Sequence, residues 1–510
     1  MHHSHKLVLN TGALYIKIIV NALVSLISTR IVLSCLGSND YGLYNLIAGV
    51  IALFSFLNGS LMISSQRFLS IAIGEENRDK LCSIFNVSVF IHMIFAAIIG
   101  ILLVSIQSFL FNGFLNIEES SKSIANIIYD VMILSSILTI STIPYSSIIN
   151  AYEDMCFYSI SEIISILFRL GAAIVLLYIK KDFLLLYTWL IFLSIFISFL
   201  TKYIWCKYKY KEVDLSFIMM KNKILFKEMI GFVAWNTLGS FAVLVRNQGV
   251  AVVLNIFFGT IVNAAYGIAN QINALVLTFA STLTTVFTPS IIQSKGKGDN
   301  SRMLLLSIFS SKLSFLLSSM IALPLILFMP EVLNIWLKDV PSDTNLFCIF
   351  IIVSFIIMQM YPGINRSIYA NGKIRGYQIA ISITIVLNIP IGILLFKMGF
   401  PAYSILVTMA FNQLMAMAVT LYYAKKLVGL KVCEFVFRFV FPAMLLFMSC
   451  YLLGSILNIF IFKNINLYEL ILIALIYGIV YFVLYIIFIL NENETKMIKS
   501  LILSLKNKIL

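Results

Sequence analysis

The stretch Leu36–Val50 reads LGSNDYGLYNLIAGV, and Arg67–Leu81 closes the same segment with RFLSIAIGEENRDKL. Far downstream, Phe258–Ile272 reads FGTIVNAAYGIANQI, and Pro289–Met303 closes with PSIIQSKGKGDNSRM. Set side by side without a gap, Gly37 meets Gly259, Tyr44 meets Tyr266, Gly74 meets Gly296 and Lys80 meets Arg302. All four pairs share one offset (259 − 37 = 222). Each copy is a turn glycine, an apolar helix starting near a tyrosine, and a polar, basic loop. The pairing predicts a chain built from two related halves.

Composition sets the solvent. Hydrophobic residues make up 61% of the 510 positions and charged residues 11%, with a mean hydropathy of +1.00. A soluble surface needs far more charge than that. Apolar runs of about 20 residues recur from end to end, each long enough to cross ~30 Å of hydrocarbon as a helix. The alternating pattern of a membrane β-barrel is absent. The expected fold class is an all-α polytopic membrane protein of about fourteen transmembrane helices. The start, MHHSHKLVLNTG, lacks a cleavage site after a short apolar core and reads as no signal peptide. Its His2, His3 and His5 read as a solvated tail, and no metal site is expected. The seven cysteines are scattered, with no CxxC pair, and read as reduced packing residues.

Lysine and arginine stay on the cytoplasmic side of a membrane. With the N-terminus inside, twenty-two of the 36 Lys and Arg fall in inside segments and six in outside loops. That split predicts an even helix count, with both termini cytoplasmic. It also accounts for the formal charge of +14 without nucleic acid. The predicted organisation is an N-lobe of six spans over 1–204, a cytoplasmic linker over 205–227 and a C-lobe of six spans over 228–424. Spans 13 and 14 follow over 425–490. The tail, 491–510, has Met497, Ile498, Leu501, Ile502 and Leu505 at helical spacing among lysines and reads as an amphipathic cytoplasmic helix at the interface or as a solvated end. Pro144 and Pro362 are each expected to loosen a helix near its cytoplasmic end.

No catalytic constellation emerges, and no cofactor is called for. The phosphate-cradling GxxxxGK[ST] pattern is missing, so ATP hydrolysis has no site here. The informative residues are charges inside spans, each costing about 2.5–3.5 kcal/mol at the bilayer centre unless it finds a cavity or a partner. Arg169 and Arg246 lie near mid-span. Lys17 and Arg30 lie nearer the two ends of the first span. Asn236, Ser240 and Asn247 share a face of the seventh span, and Tyr266, Asn270 and Asn273 form a stripe on the eighth. Such amides serve either interhelical hydrogen bonds or a cavity lining. Glu162 lies seven residues before Arg169, about 10 Å along the same face; it is either a proton or cation site, or a neutralising partner of Arg169. Cavity walls of arginine and amide suit an anionic, hydrogen-bonding cargo, because guanidinium pairs bidentately with phosphate.

LGSNDYGLYNLI after the first span, QRFLSIAIGEENRDKL after the second, NAYEDMCFY after the fourth and NAAYGIANQI…FTPSIIQSKGKGD across the eighth resemble the bacterial O-antigen and polysaccharide flippases. That family belongs to the multidrug/oligosaccharidyl-lipid/polysaccharide exporter superfamily. The resemblance implies two six-helix lobes plus two C-terminal helices around a central, V-shaped cavity. It implies an inner-membrane transporter, not an enzyme, acting in O-antigen, lipopolysaccharide or polysaccharide biosynthesis. The cargo would be an undecaprenyl-pyrophosphate-linked glycan, turned from the cytoplasmic to the periplasmic leaflet by alternating access. A polysaccharide polymerase and a chain-length regulator are the implied partners beside the bilayer. Arg246, Arg169, Arg30, Lys17, Asn270, Asn273 and Asn247 are then candidate cargo contacts, and Glu162 a candidate ion-coupling site.

Four other readings compete, one of them a structural membrane scaffold, which the arginines inside spans and the lobed repeat disfavour. A multidrug exporter of the same superfamily would need a carboxylate in the first or seventh span, and the sequence reading finds none there. A lipid II flippase shares the helix count and the use of arginine. A membrane-bound polysaccharide polymerase would carry a large periplasmic loop, and the longest outside segment here, 107–124, is short.

Overall fold

The computed structural model describes residues 2–111, 119–178, 183–211, 213–214, 222–337, 339–461, 467–492 and 494–495. Among them there is no strand. The helices used below are α1 (His2–Ala52), α2 (Ser55–Gly74), α3 (Arg78–Phe109), α4 (Glu119–Ala151), α5 (Met155–Leu176), α6 (Phe183–Lys209), α7 (Lys223–Gly296) and α8 (Asn300–Leu327). They continue as α9 (Met329–Trp336), α10 (Thr344–Met358), α11 (Pro362–Asn371), α12 (Arg375–Val386), α13 (Asn388–Lys397) and α14 (Ser404–Val428). The last are α15 (Val432–Phe435), α16 (Phe441–Ile461) and α17 (Leu467–Phe488).

Among the described residues, eleven helices are long and apolar enough to cross a membrane, or thirteen when each bent pair counts as one span. The 74-residue α7 is two helices joined at Gly259, and dividing it there gives fourteen. The expectation of an all-helical, polytopic membrane protein holds. Exposed Leu, Ile, Phe and Val side chains cover much of the outer surface, as lipid contact requires.

The two copies of the repeat share their backbone as well as their residues. Gly37 (φ 76°, ψ 173°) and Gly259 (φ 80°, ψ −169°) occupy the same region, in which only glycine is at ease. Their helices end at Gly74 and Gly296. Two residues on, Glu76 (φ 56°) and Gly298 (φ 76°) both turn left-handed. Next come the caps. The Asn77 side chain accepts from the Lys80 backbone N–H, and Asp299 accepts from that of Arg302, each at 2.9 Å. Every one of these pairs keeps the offset of 222.

The chain divides into two compact units, Leu9–Ser240 and Phe241–Leu510 with Met1–Val8. In the first, α4 packs against α2, α3 and α6, and α5 lies along α6. Small residues let the backbones approach. Ser65 and Ser88 share a hydrogen bond of 2.7 Å between α2 and α3, and Tyr145 lies edge-on to Phe85. The α4 helix runs unbroken through Pro144 to Ala151, contrary to expectation. Hydroxyls of Ser141 and Thr142 bond back to the carbonyls of Ile137 and Leu138 in the turn before it, one way a membrane helix tolerates proline.

In the second unit, Pro362 behaves as expected. It opens α11 after a 46° bend from α10. The α8 helix carries Ser307, Ser310, Ser311, Ser314, Ser318 and Ser319, all buried. The Gly363 N–H donates to Ser311 Oγ at 3.1 Å. A Cβ on Gly363 would press into the Ser307 carbonyl oxygen, so α11 and α8 meet at a contact only glycine allows. Helices α16 and α17 pack on α8 and on each other, with Phe315 against Phe447 and Tyr485. Most of the expected tail helix, residues 496–510, lies outside the described residues, as do the side chains of the N-terminal histidines and much of segment 107–124.

Candidate functional site

Each unit holds a polar cluster inside its apolar helices. In the second unit, Arg246 Nε and Nη2 donate to Asn247 Oδ1 at 3.2 and 3.1 Å. Tyr266 and Tyr361 are its electrostatic neighbours, and no carboxylate is among them. The helical spacing places Tyr266 one span away from Arg246, and its hydroxyl donates to the Asn247 carbonyl at 3.5 Å. Tyr361, at the break before α11, donates to Gln413 Oε1 at 2.9 Å. Asn270 Nδ2 bonds back to the Tyr266 carbonyl at 3.0 Å. Asn273 Oδ1 is buried and has no hydrogen-bond partner among the described residues. Of the expected cargo contacts in this unit, Arg246 and Asn247 therefore touch, and Asn270 joins them through Tyr266.

A second arginine of this unit was not foreseen. Arg366 on α11 lies 5.9 Å from the Tyr369 ring centroid and within electrostatic reach of Tyr369 and Tyr377. Tyr377 donates to Asn365 Oδ1 at 2.7 Å. The bent α10–α11 pair thus carries Tyr361, Asn365, Arg366 and Tyr369 in two turns, a signal that periodicity alone does not separate from a packed polar face.

In the first unit, Glu162 meets a partner that spacing did not reveal. Lys202 Nζ on α6 lies 2.5 Å from Glu162 Oε1. Lys17 and Arg169 act on the same carboxylate from further away. The alternative that Glu162 serves chiefly to neutralise Arg169 is corrected: Lys202 holds it, because α5 and α6 pack side by side while Arg169 stands two turns along its own helix. Arg169 is exposed, with Tyr44 and Tyr187 as its electrostatic neighbours and their rings 5.2 Å apart. Arg30 is exposed, more than three turns beyond Lys17, and does not join the cluster.

The amides at the start of α7 serve packing. Asn236 Nδ2 donates to the Ser60 carbonyl at 3.4 Å, and Ser240 and Ser60 hydroxyls lie 3.0 Å apart. This is the interhelical reading, and it separates Asn236 and Ser240 from Asn247. Nearby, the Arg67 guanidinium lies between the Phe68 and Phe232 rings, 4.6 and 4.9 Å from their centroids. Glu228 is its electrostatic partner. The absence of a carboxylate from the seventh span thus needs amending at its first residue, although Glu228 is exposed and attends Arg67.

At the end of α6, Asp154 Oδ2 accepts from Lys209 Nζ, Tyr210 OH and Trp205 Nε1 at 2.6, 3.0 and 3.3 Å. Burial, with the Asp154 carboxylate beside it, raises the Tyr210 phenol above its ordinary range, so it stays a donor. Tyr152 stacks on Tyr210 and Phe157 on Trp205, at 4.6 and 3.9 Å. The cluster ties the α4–α5 turn to the end of α6. Among the described residues no group of three or more His, Cys, Asp or Glu side chains could hold a metal ion.

No family model matches the chain, and no curated protein matches it in sequence. Solved structures do match. A MATE transporter in complex with MaD3S aligns with a TM-score of 0.72 at 14% identity, over 84% of this chain and 96% of that one. A MOP superfamily transporter from Pyrococcus furiosus, described as having a binding pocket of reverse polarity that suggests a different function, aligns at 0.70 and 14%, over 84% and 96%. An outward-facing multidrug resistance MATE family transporter of the MOP superfamily aligns at 0.69 and 14%, over 83% and 95%. The chain has the fold of these membrane transporters.

Proposed function

We propose that this chain is an exporter or flippase of the MOP superfamily whose cargo is a lipid-linked anion: an oligosaccharide repeat unit on undecaprenyl pyrophosphate, as in O-antigen or polysaccharide biosynthesis. The protein would work in the bacterial inner membrane, carrying the headgroup from the cytoplasmic to the periplasmic leaflet by alternating access. The observation that carries the reading is Arg246. It is a guanidinium inside a span, answered by an amide oxygen and two tyrosines rather than by a carboxylate. A membrane protein keeps such a cation where it has work to do, and a planar fork suits phosphate oxygens.

A multidrug exporter is the second reading, and the fold neighbours favour it: one of them is a multidrug resistance transporter. The neighbour with a reversed pocket polarity supplies a precedent for the same fold with a different role. Within this chain, Glu162 is the carboxylate a cation-coupled exporter could use, but Lys202 already occupies it.

The test separates cargo from scaffold. Arg246→Lys keeps the charge and loses the fork, so export should fall in part. Arg246→Ala should abolish export while the protein stays in the membrane, because it removes a charge that has no carboxylate partner among the described residues. Surface glycan and membrane abundance are measured for each variant. Normal surface glycan in a well-expressed Arg246→Ala strain sinks the reading. Unchanged glycan with loss of drug resistance moves it to the multidrug exporter.

A further inference from the structure

Five side chains of the first unit form one cluster. Lys202 grips Glu162 at 2.5 Å. Lys17 Nζ and Lys202 Nζ each lie 5.1 Å from the centroid of the Tyr158 ring, so two ammonium groups attend one aromatic ring. Lys17 and Arg169 add their fields to that of Lys202 at the Glu162 carboxylate. Lys202 thus holds the carboxylate directly, and two further cations act on it from a distance.

The depths agree. Lys17 is eight residues into Leu9–Gly37, Glu162 is seven from the start of α5 and Lys202 is seven from the end of α6. At about 1.5 Å per residue, each stands about 10–12 Å in from a helix end. This is too deep for water to screen the two lysines freely, and a cluster without Glu162 would be costly in a membrane.

The two members of the ion pair differ in freedom. The Lys202 side chain is 5% exposed, whereas that of Glu162 is 24% exposed. The carboxylate has somewhere to go, and the ammonium does not.

We propose that Lys17, Lys202, Tyr158 and Arg169 form a binding subsite for a phosphate-bearing headgroup, and that Glu162 is a resident anion which the phosphate displaces. The inference rests on the anionic-cargo reading above. While the site is unloaded, Glu162 lowers the cost of the buried lysine. An arriving diphosphate carries more charge and more acceptor oxygens than one carboxylate, and it reaches several of the cations together. The displaced Glu162 swings toward its open side. Its negative charge then stands beside the headgroup and favours release, so binding never becomes too tight for transport.

If Glu162 were a cargo ligand or a plain structural partner, removing its charge would weaken binding. A displaceable anion predicts the reverse. The full-length protein in detergent is titrated calorimetrically with farnesyl pyrophosphate and, separately, with inorganic pyrophosphate. Glu162→Gln should bind farnesyl pyrophosphate tighter than wild type by roughly tenfold or more, since a like charge is removed at short range. Lys202→Met should lose binding. Glu162→Asp shortens the reach to Lys202 and should tighten binding to a lesser degree, which keeps the test open if the Gln variant fails to fold. Equal affinity for the two probes assigns the subsite to the phosphates alone, and tighter farnesyl binding assigns it to a lipid headgroup; both support it. Unchanged or weaker binding in the folded Gln or Asp variant, beside a wild type that binds, overturns the displaceable anion and leaves the cargo reading standing. A wild type that binds neither probe overturns both.

Discussion

Lys312, in the middle of α8, and Glu494, beyond the end of α17, form an ion pair with Nζ 2.7 Å from Oε2 and side chains only 5% and 13% exposed. The ammonium also donates to the Ile489 carbonyl at 3.3 Å, and Tyr485 OH bonds to the Lys312 carbonyl at 2.9 Å. Breaking such a pair from one side leaves a buried charge and costs about 3–5 kcal/mol. Glu494→Gln is therefore expected to lower the melting temperature in detergent markedly. Lys312→Met with Glu494→Gln removes the charge and should recover most of the loss. A double variant no more stable than the single one would show that the pair is not what holds the last two helices to α8.

A second expectation concerns Gly363. An alanine there would drive its Cβ into the Ser307 carbonyl and to 2.9 Å from Ser311 Oγ. The backbone cannot yield without parting α11 from α8, so Gly363→Ala should cost more than 3 kcal/mol, in the upper range for overpacking (about 1–3, occasionally more). Gly267→Ala is the control. It lies within α7 with nothing in reach of a Cβ, and helix propensity predicts a gain of up to ~1 kcal/mol. Thermal unfolding of the two variants in detergent should move in opposite directions.

The kink glycines give a purer backbone test. A Cβ on Gly37 or Gly259 meets nothing within 4 Å. Any loss in Gly37→Ala or Gly259→Ala then comes from the dihedral angles alone, about 1–3 kcal/mol each. The two losses should match within experimental error if the two segments do one job. A large loss at one position and none at the other would break the correspondence.

Orientation is checked by fusion. By the charge rule, a reporter active only outside the cytoplasm should be silent when fused at Leu510 and active within 107–124. The opposite pattern would reverse the direction of transport proposed above.

Much of the fold was legible because its causes are local. Apolar runs of span length and glycines that permit positive φ are written residue by residue. The charge partners were not legible. Lys202 and Lys312 stand 40 and 182 positions from Glu162 and Glu494, and only the packing of one helix on another brings them together. Spacing along one helix pointed instead to Arg169, a neighbour at two turns. Arg246 was recognisable as a cation far from either end of its span, which needs no partner to be visible. Arg366 was not, since it lies near the end of a broken span, where a basic residue also reads as topology.

The capped turns at Gly74–Leu81 and Gly296–Met303 have a consequence for engineering. Of their residues only the glycine at the head is the same, yet the left-handed position, the cap and the amide it holds fall in one register. Glutamate at the left-handed position of one is glycine in the other, and asparagine at the cap is aspartate. Such segments are interchangeable parts: either could be spliced into the other's place, each joining the same kind of helix end to the same kind of helix start. Chimeras cut at these two turns would let the halves of the chain be shuffled among relatives without redesigning a joint, because the joint is specified by backbone angles that several sequences can satisfy.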